Sequence, residues 1–147
     1  FYIMAGSYKI LEDVAIADFA FEAKADTLSD IFQVCASALM DTLVNVETVG
    51  NSYYHTIELE NKDIEKLLYD FLEEIVYLKD KDAVVFSECD VEINEAKGKH
   101  FLIAFLKGEK INQKKQKLGM DVKAVTMHMF SLKKEGNGYK ATVVLDI

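Results

Sequence analysis

Two stretches of helical spacing, set among segments of period two, limit what this chain can become. In Leu28–Val44 the apolar residues Leu28, Ile31, Phe32, Cys35, Ala36, Leu39, Met40 and Leu43 recur every three or four positions. Thr27 is placed to cap that helix, with Asp30 three residues on. The second stripe is Ile64, Leu67, Leu68, Phe71, Leu72, Ile75 and Leu78, predicting a helix over Ile64–Lys79. Asn61 is the expected cap there, Asp63 and Glu65 suit its positive end, and Lys79 suits its negative end.

The remaining apolar segments alternate. Ala15–Glu22 carries Ala15, Ala17, Phe19 and Phe21 on one face and Ile16, Asp18, Ala20 and Glu22 on the other. Tyr53–Glu60, Ala83–Ala96, Val122–Lys133 and Tyr139–Ile147 also read as strands, with Tyr8–Leu11 a short strand or lead-in. Phe101–Leu106 is apolar throughout, which predicts a strand covered on both faces. Lys97-Gly98 and Glu135-Gly136-Asn137-Gly138 are expected hairpin turns, and Asn45–Ser52 and Gly108–Gly119 expected loops.

The order is strand, helix, strand, helix, and then four strands. It parses as two copies of strand–helix–strand–strand, one nested in the other. The outer copy is Ala15–Glu22, Leu28–Val44, Val122–Lys133 and Tyr139–Ile147; the inner is Tyr53–Glu60, Ile64–Lys79, Ala83–Ala96 and Lys99–Lys107. The expected class is α+β, with antiparallel or mixed sheets packed by two helices. At 147 residues, one domain is expected, with an outer module of about 8–45 and 120–147 around an inner module of about 53–108.

Nesting puts the first and last strands into one outer unit, without fixing strand order, and each carries an aspartate on its less apolar face; if the two strands are neighbours, Asp18 and Asp146 meet on one face of a sheet. Asp packs poorly in strands. Adjacent strands lie about 4.8 Å apart, so two facing carboxylates repel unless something compensates. A divalent cation, a lysine such as Lys123, or a shared proton are the answers available. The alternative is two solvated polar positions on an open sheet face. Oxygen-only ligands favour calcium, magnesium or manganese over zinc. If the chain ends at Ile147, its terminal carboxylate adds further oxygens.

Other chemistry finds little support. The net charge of −8 argues against unaided binding to a nucleic-acid backbone. Every basic residue is lysine, so no bidentate arginine clamp on phosphate or guanine can form. Cys35 and Cys89 form no CxxC pair and read as buried thiols of a reducing cytoplasm. His55, His100 and His128 stand alone, without metal-ligand spacing, and read as surface or cross-strand residues. No phosphate loop, dinucleotide turn or GxSxG elbow occurs. Lys110, Lys114, Lys115 and Lys117 make one basic loop, either solvated or a docking or RNA-facing edge, and Met127 and Met129 read as packing. No apolar run reaches the roughly 20 residues needed to span a bilayer, and Phe1–Ser7 lacks the features of a signal peptide.

Three stretches together resemble the archease family. Ala17-Asp18-Phe19-Ala20-Phe21, followed by Thr27-Leu28 and Ile31-Phe32, is similar to the family's alanine–aspartate strand and threonine–leucine helix start. Gly108-Glu109 and Val122-Lys123-Ala124-Val125-Thr126-Met127-His128 match its Gly-Glu and Val-Lys-Ala-Val-Thr-x-His runs. The ending Leu145-Asp146-Ile147 is similar too, as is the helix segment around Leu67-Leu68 and Phe71-Leu72-Glu73-Glu74. The chain departs from the family where Val14-Ala15-Ile16 replaces Asp-His-Thr. Asn112 and Gln116 stand where the family carries an aspartate and a histidine.

The resemblance implies a small cytoplasmic, non-enzymatic activator of an RtcB-type tRNA-splicing ligase, promoting ligase guanylylation and repeated turnover. It implies that Asp18 and Asp146, with Ile147 a further ligand, bind a divalent cation, calcium first and magnesium or manganese as alternatives. Lys123 is implied to help ligase activation. Neither sequence-specific nucleic-acid binding nor membrane association is expected. The alternatives are a metal-dependent, hydrolase-like enzyme using the same aspartate pair, and a chaperone or modulator of RNA-modifying enzymes.

Overall fold

A computed structural model describes residues 6–12 and 18–147. Seven strands and two helices run in the order β1 (Gly6–Leu11), β2 (Asp18–Ala25), α1 (Leu28–Leu43), β3 (Tyr53–Asn61), α2 (Ile64–Asp82), β4 (Val84–Ala96), β5 (Lys99–Lys110), β6 (Ala124–Glu135) and β7 (Gly138–Asp146). The strands form two antiparallel sheets, ordered β1-β2-β7-β6 and β3-β5-β4. Without β1, each sheet places the first strand of its unit beside the last, with the third outermost. The class is therefore α+β, with the inner unit's sheet complete within the outer unit's span.

Periodicity placed the helices well. Thr27 caps α1, its hydroxyl accepting from the Asp30 N–H at 3.1 Å. The cap of α2 is Asp63 rather than Asn61; its carboxylate accepts from the N–H groups of Glu65 and Lys66. Asn61 instead closes the preceding turn by accepting from the Asp63 N–H. At its other end α2 runs on to Asp82 and stops at Ala83, which takes the left-handed conformation with φ 51°.

Inward-facing residues of both sheets and the apolar stripes of both helices share one buried cluster. Phe21, Phe32, Phe71, Leu72, Leu106 and Val143 are among its fully covered members. Cys35 and Cys89 are buried free thiols, and burial pushes both thiols upward in pKa.

Several strand boundaries, and the cover of one strand, differ from expectation. β2 runs to Ala25 because β1 pairs along its full length, from Leu11↔Ala20 to Gly6↔Ala25; Ala15–Ala17 lie outside the described residues, as do Val14 and Ile16. The apolar run Phe101–Leu106 is not covered on both faces. Leu102, Ala104 and Leu106 are buried, but Phe101 and Phe105 are exposed, because both helices pack on the same side of this sheet. Gly108–Lys110 belong to β5 rather than to a loop. Finally, β6 begins at Ala124, and its ladder with β7 is interrupted between Thr126 and Ser131 by a bulge in which Met129 has φ 58°.

Each helix also seals the outer edge of the other unit's sheet. Gln33 of α1 donates to the Cys89 carbonyl and accepts from the Val91 N–H at 3.0 Å, and Ser29 accepts from the Ile93 N–H at 3.0 Å. Reciprocally, Glu65 of α2 accepts from the Leu132 N–H at 3.0 Å, Glu73 accepts from the Val125 N–H, and the Tyr69 hydroxyl donates to the Val125 carbonyl at 3.0 Å. The backbone groups at the edges of β4 and β6 thus find side-chain partners where no strand follows.

Candidate functional site

Asp18 opens β2 and Asp146 closes β7, and the two are direct partners in the β2/β7 ladder. Residues opposed in this way have Cα atoms about 4.5–5.5 Å apart. The alternation explains their shared orientation. Phe19, Phe21, Ala23 and Ala25 of β2 and Ala141, Val143 and Leu145 of β7 line the core side, which leaves Asp18 and Asp146 on the far face. Both are half-buried.

Lys123 reaches the same sheet end. Its N–H donates to the Asp146 carbonyl at 2.8 Å, and Ala124 is Asp146's partner on the other side. Its side chain is exposed, as is that of His128 on the bulge, while Ile147 follows directly and is half-buried. Asp18, Asp146, Ile147 and Lys123 therefore gather at one end of the sheet, and His55 and His100 belong to the other sheet.

Elsewhere on the same face carboxylates are matched by lysines. Glu22 sits between Lys9 and Lys140, each at 3.6 Å, and Glu135 lies between Lys24 at 3.2 Å and Lys140 at 3.7 Å. Among the described residues, no lysine stands within ion-pair distance of Asp18 or Asp146. Also among the described residues, no group of three or more His, Cys, Asp or Glu side chains is arranged to hold a metal ion. What the site offers is the carboxylates of two facing residues, beside an Asp146 carbonyl that already accepts from the Lys123 N–H. That donor set is all hard oxygen, which suits calcium, magnesium or manganese with water completing the shell.

Supports around Lys123 were not visible as such in the sequence. Lys79, read as a helix-end cation, is 7% exposed and donates to Asp121 at 2.8 Å and to the Val122 carbonyl at 2.8 Å, with Asp80 at 3.0 Å. Burial by itself lowers a lysine's pKa, but the hydrogen bonds that Lys79 donates to Asp121 and Asp80 outweigh it, and the net shift is upward. Asp121 moves down, chiefly through its hydrogen bond to Lys79. With Tyr69 and Glu73 holding Val125, α2 grips the chain on both sides of Lys123. The only sequence signal was a lysine one position after Leu78 in an apolar turn.

The lysine-rich loop is less solvated than its composition suggested. Glu109 is 5% exposed and accepts from the Gln116 amide at 2.8 Å, Lys115 at 2.7 Å and the Gly50 N–H at 2.9 Å. These contacts, led by Gln116, hold its carboxyl down at about 2. Gln116 also accepts from the Asn112 N–H at 2.7 Å, so Asn112 and Gln116 tie the loop to β5. Lys114 and Lys117 remain exposed. Met127 and Met129, expected to pack, are 62% and 58% exposed, because the bulge turns them out of the ladder.

Interlocked strand–helix–strand–strand units whose outer strands close on a pair of facing aspartates define a distinct class of small α+β protein. Comparison with known proteins places it: the chain belongs to the Archease protein family (MTH1598/TM1083), whose model matches residues 8–147. It is 37% identical to the protein archease of Pyrococcus furiosus over 132 residues, 89% of this chain and 93% of that one. With the protein archease of Methanosarcina mazei it shares 35% identity over 141 residues, 95% of each chain. The solution structure of Methanobacterium thermoautotrophicum protein 1598 superposes with a TM-score of 0.82 at 29% identity, over 99% of this chain and 100% of that one. A Thermotoga maritima archease, described as a possible chaperone, shares the fold with a TM-score of 0.62 at 16% identity, over 90% and 93%. Among the described residues, no helix is long and apolar enough to cross a membrane.

Proposed function

We propose that this chain is a non-enzymatic activator of an RtcB-type tRNA-splicing ligase, acting through a divalent cation held by Asp18 and Asp146. The observation that carries the reading is the direct pairing of these aspartates, with no lysine between them, at the sheet end where Lys123 is bonded to Asp146. Family membership supports it. Calcium is the first expectation for the ion, with magnesium and manganese behind it, and Ile147 adds a main-chain oxygen. When bound, the cation offsets the repulsion within the pair and leaves coordination positions open to an oxygen ligand. Lys123, exposed and anchored through its own N–H to the Asp146 carbonyl, offers a cation at the same sheet end. An acidic protein of net charge −8 is drawn to a basic, RNA-binding partner, which speeds docking.

A helper role accords with the description of the Thermotoga relative as a possible chaperone. The hydrolase-like alternative uses the same aspartate pair and predicts turnover of a substrate by the isolated protein, lost on chelation. Two buried, unpaired thiols suit a reducing cytoplasm.

The test is reconstitution with a ligase of this type at limiting concentration. Asp18→Ala and Asp146→Ala are expected to keep the wild-type circular dichroism, to lose the calcium-induced rise in melting temperature, and to abolish stimulation of ligase guanylylation. Full stimulation by both variants overturns the proposal.

A further inference from the structure

We propose that the helix-free face of the β3-β5-β4 sheet is a docking surface for an arginine-bearing, basic segment of a partner protein. The face carries an apolar ridge down its central strand. Phe101, Ile103 and Phe105 of β5 point away from both helices, and Phe101 is 38% and Phe105 48% exposed. A groove of about 510 Å³ runs beside Phe101 and Ile103. This is the run whose unbroken apolarity predicted cover on both faces; the helices supply cover on one side only.

Register places carboxylates along both flanks. Ile103 is opposed by Glu58 on β3 and by Glu92 on β4, and Phe105 is opposed by Asp90 on β4. Strand spacing puts each flank about 4.8 Å from the ridge. At the ridge ends the chain provides its own cations: Lys99 lies 3.7 Å from Glu60 and Lys107 3.8 Å from Glu88. In the middle it provides none. Among the described residues, Glu58, Asp90 and Glu92 have no lysine within ion-pair distance.

An exposed phenyl face beside unmatched carboxylates selects a guanidinium. Arginine stacks its plane on an aromatic ring and pairs its edge with a carboxylate, which the more strongly hydrated lysine ammonium does less well. Nucleic acid is disfavoured, because its phosphates would meet both acidic flanks. A second copy of this chain is disfavoured as well. It contains no arginine, and its own flanks would repel those facing them. This surface is formed by the other sheet from Asp18 and Asp146, so its test stands or falls independently of the ligase reading.

The test uses fluorescein-labelled nona-arginine and nona-lysine peptides, with binding to the full chain followed by anisotropy at low salt. Nona-arginine is expected to bind about fivefold more tightly than nona-lysine. Joint replacement Glu58→Gln, Asp90→Asn and Glu92→Gln is expected to weaken both peptides about tenfold. Phe105→Ser is expected to remove the preference for arginine. A charge-matched control at exposed sites elsewhere, Glu12→Gln, Asp26→Asn and Glu47→Gln, is expected to stay within about twofold of wild type. Amide-shift mapping on the wild-type protein, which needs no variant to fold, is expected to show changes concentrated on β3, β4 and β5. Equal losses in the control, no preference for arginine, or shifts centred on another surface overturn the proposal.

Discussion

Lys79 and Asp121 form a 2.8 Å ion pair whose lysine end is 7% exposed and whose aspartate end is 83% exposed. The asymmetry gives the pair a purpose. The helix side is fixed in the core, and the lysine's second hydrogen bond, to the Val122 carbonyl, pins the backbone one residue before Lys123. Lys79→Met keeps the buried stem but loses the contacts to Asp121, Asp80 and the Val122 carbonyl. It is expected to destabilise the fold by about 1–2 kcal/mol in urea unfolding. Because the folded-state pKa of Lys79 is raised, its contribution is complete below the unfolded lysine value and fades as pH rises through the folded one. The gap between wild type and Lys79→Met should therefore persist at neutral pH and close in strong alkali. On the proposed ligase reading, a segment that positions Lys123 also predicts that the variant stimulates the ligase less than its residual stability explains.

Glu109 predicts the opposite pH dependence. Its carboxyl is held at about 2 by Gln116, Lys115 and the Gly50 N–H. A depressed acid contributes stability above the unfolded value, near 4.5, and loses it as pH falls towards the folded one. Glu109→Gln should lower the melting temperature at pH 7. The difference from wild type should narrow steadily between about pH 5 and pH 2.5. A gap independent of pH across that window would mean that the carboxylate's charge is irrelevant to the latch.

What the sequence revealed followed from what side-chain period can encode. Period 3.6 located α1 to within a residue, and period two told which face of each strand is apolar, because burial selects residues face by face. Nesting put Asp18 and Asp146 in one unit but left strand order open; the ladder makes their strands neighbours and the aspartates direct partners. Period says nothing about what lies above a face, so the run Phe101–Leu106 looked doubly covered when only one layer of helices exists. Nor does it reveal a buried charge with distant partners. Lys79 is bound by Asp121, far along the chain, and Gln116 closes on Glu109 from within a segment that composition marks as a solvated loop. The bulge in β6 escaped too. Val122–His128 alternates well enough to read as strand, and nothing local announces that Met129 must take a positive φ.

The reciprocal seals on β4 and β6 carry the last prediction. Ser29 stands two positions after the cap of α1 and Glu65 two positions after the cap of α2, and their targets Ile93 and Leu132 each lie three residues before the end of their strands. One arrangement is thus used twice, each unit's helix closing the other unit's edge. Gln33 makes the stronger of the α1 contacts, since one buried amide serves both the Cys89 carbonyl and the Val91 N–H. Replacing it by leucine keeps the volume but leaves two backbone groups of a covered edge without partners, at about 1–3 kcal/mol each. Gln33→Leu is therefore expected to destabilise by about 2–6 kcal/mol, and Ser29→Ala, which frees only the Ile93 N–H, by about 1 kcal/mol. Hydrogen exchange should localise the effect, with Val91 losing protection well before Val143 at the centre of the other sheet. Because an opened edge is a template for another strand, Gln33→Leu should also self-associate at concentrations where the wild type does not. A variant as stable and as monomeric as wild type would mean that water replaces the amide at no cost, and that the seal is not what keeps this edge closed.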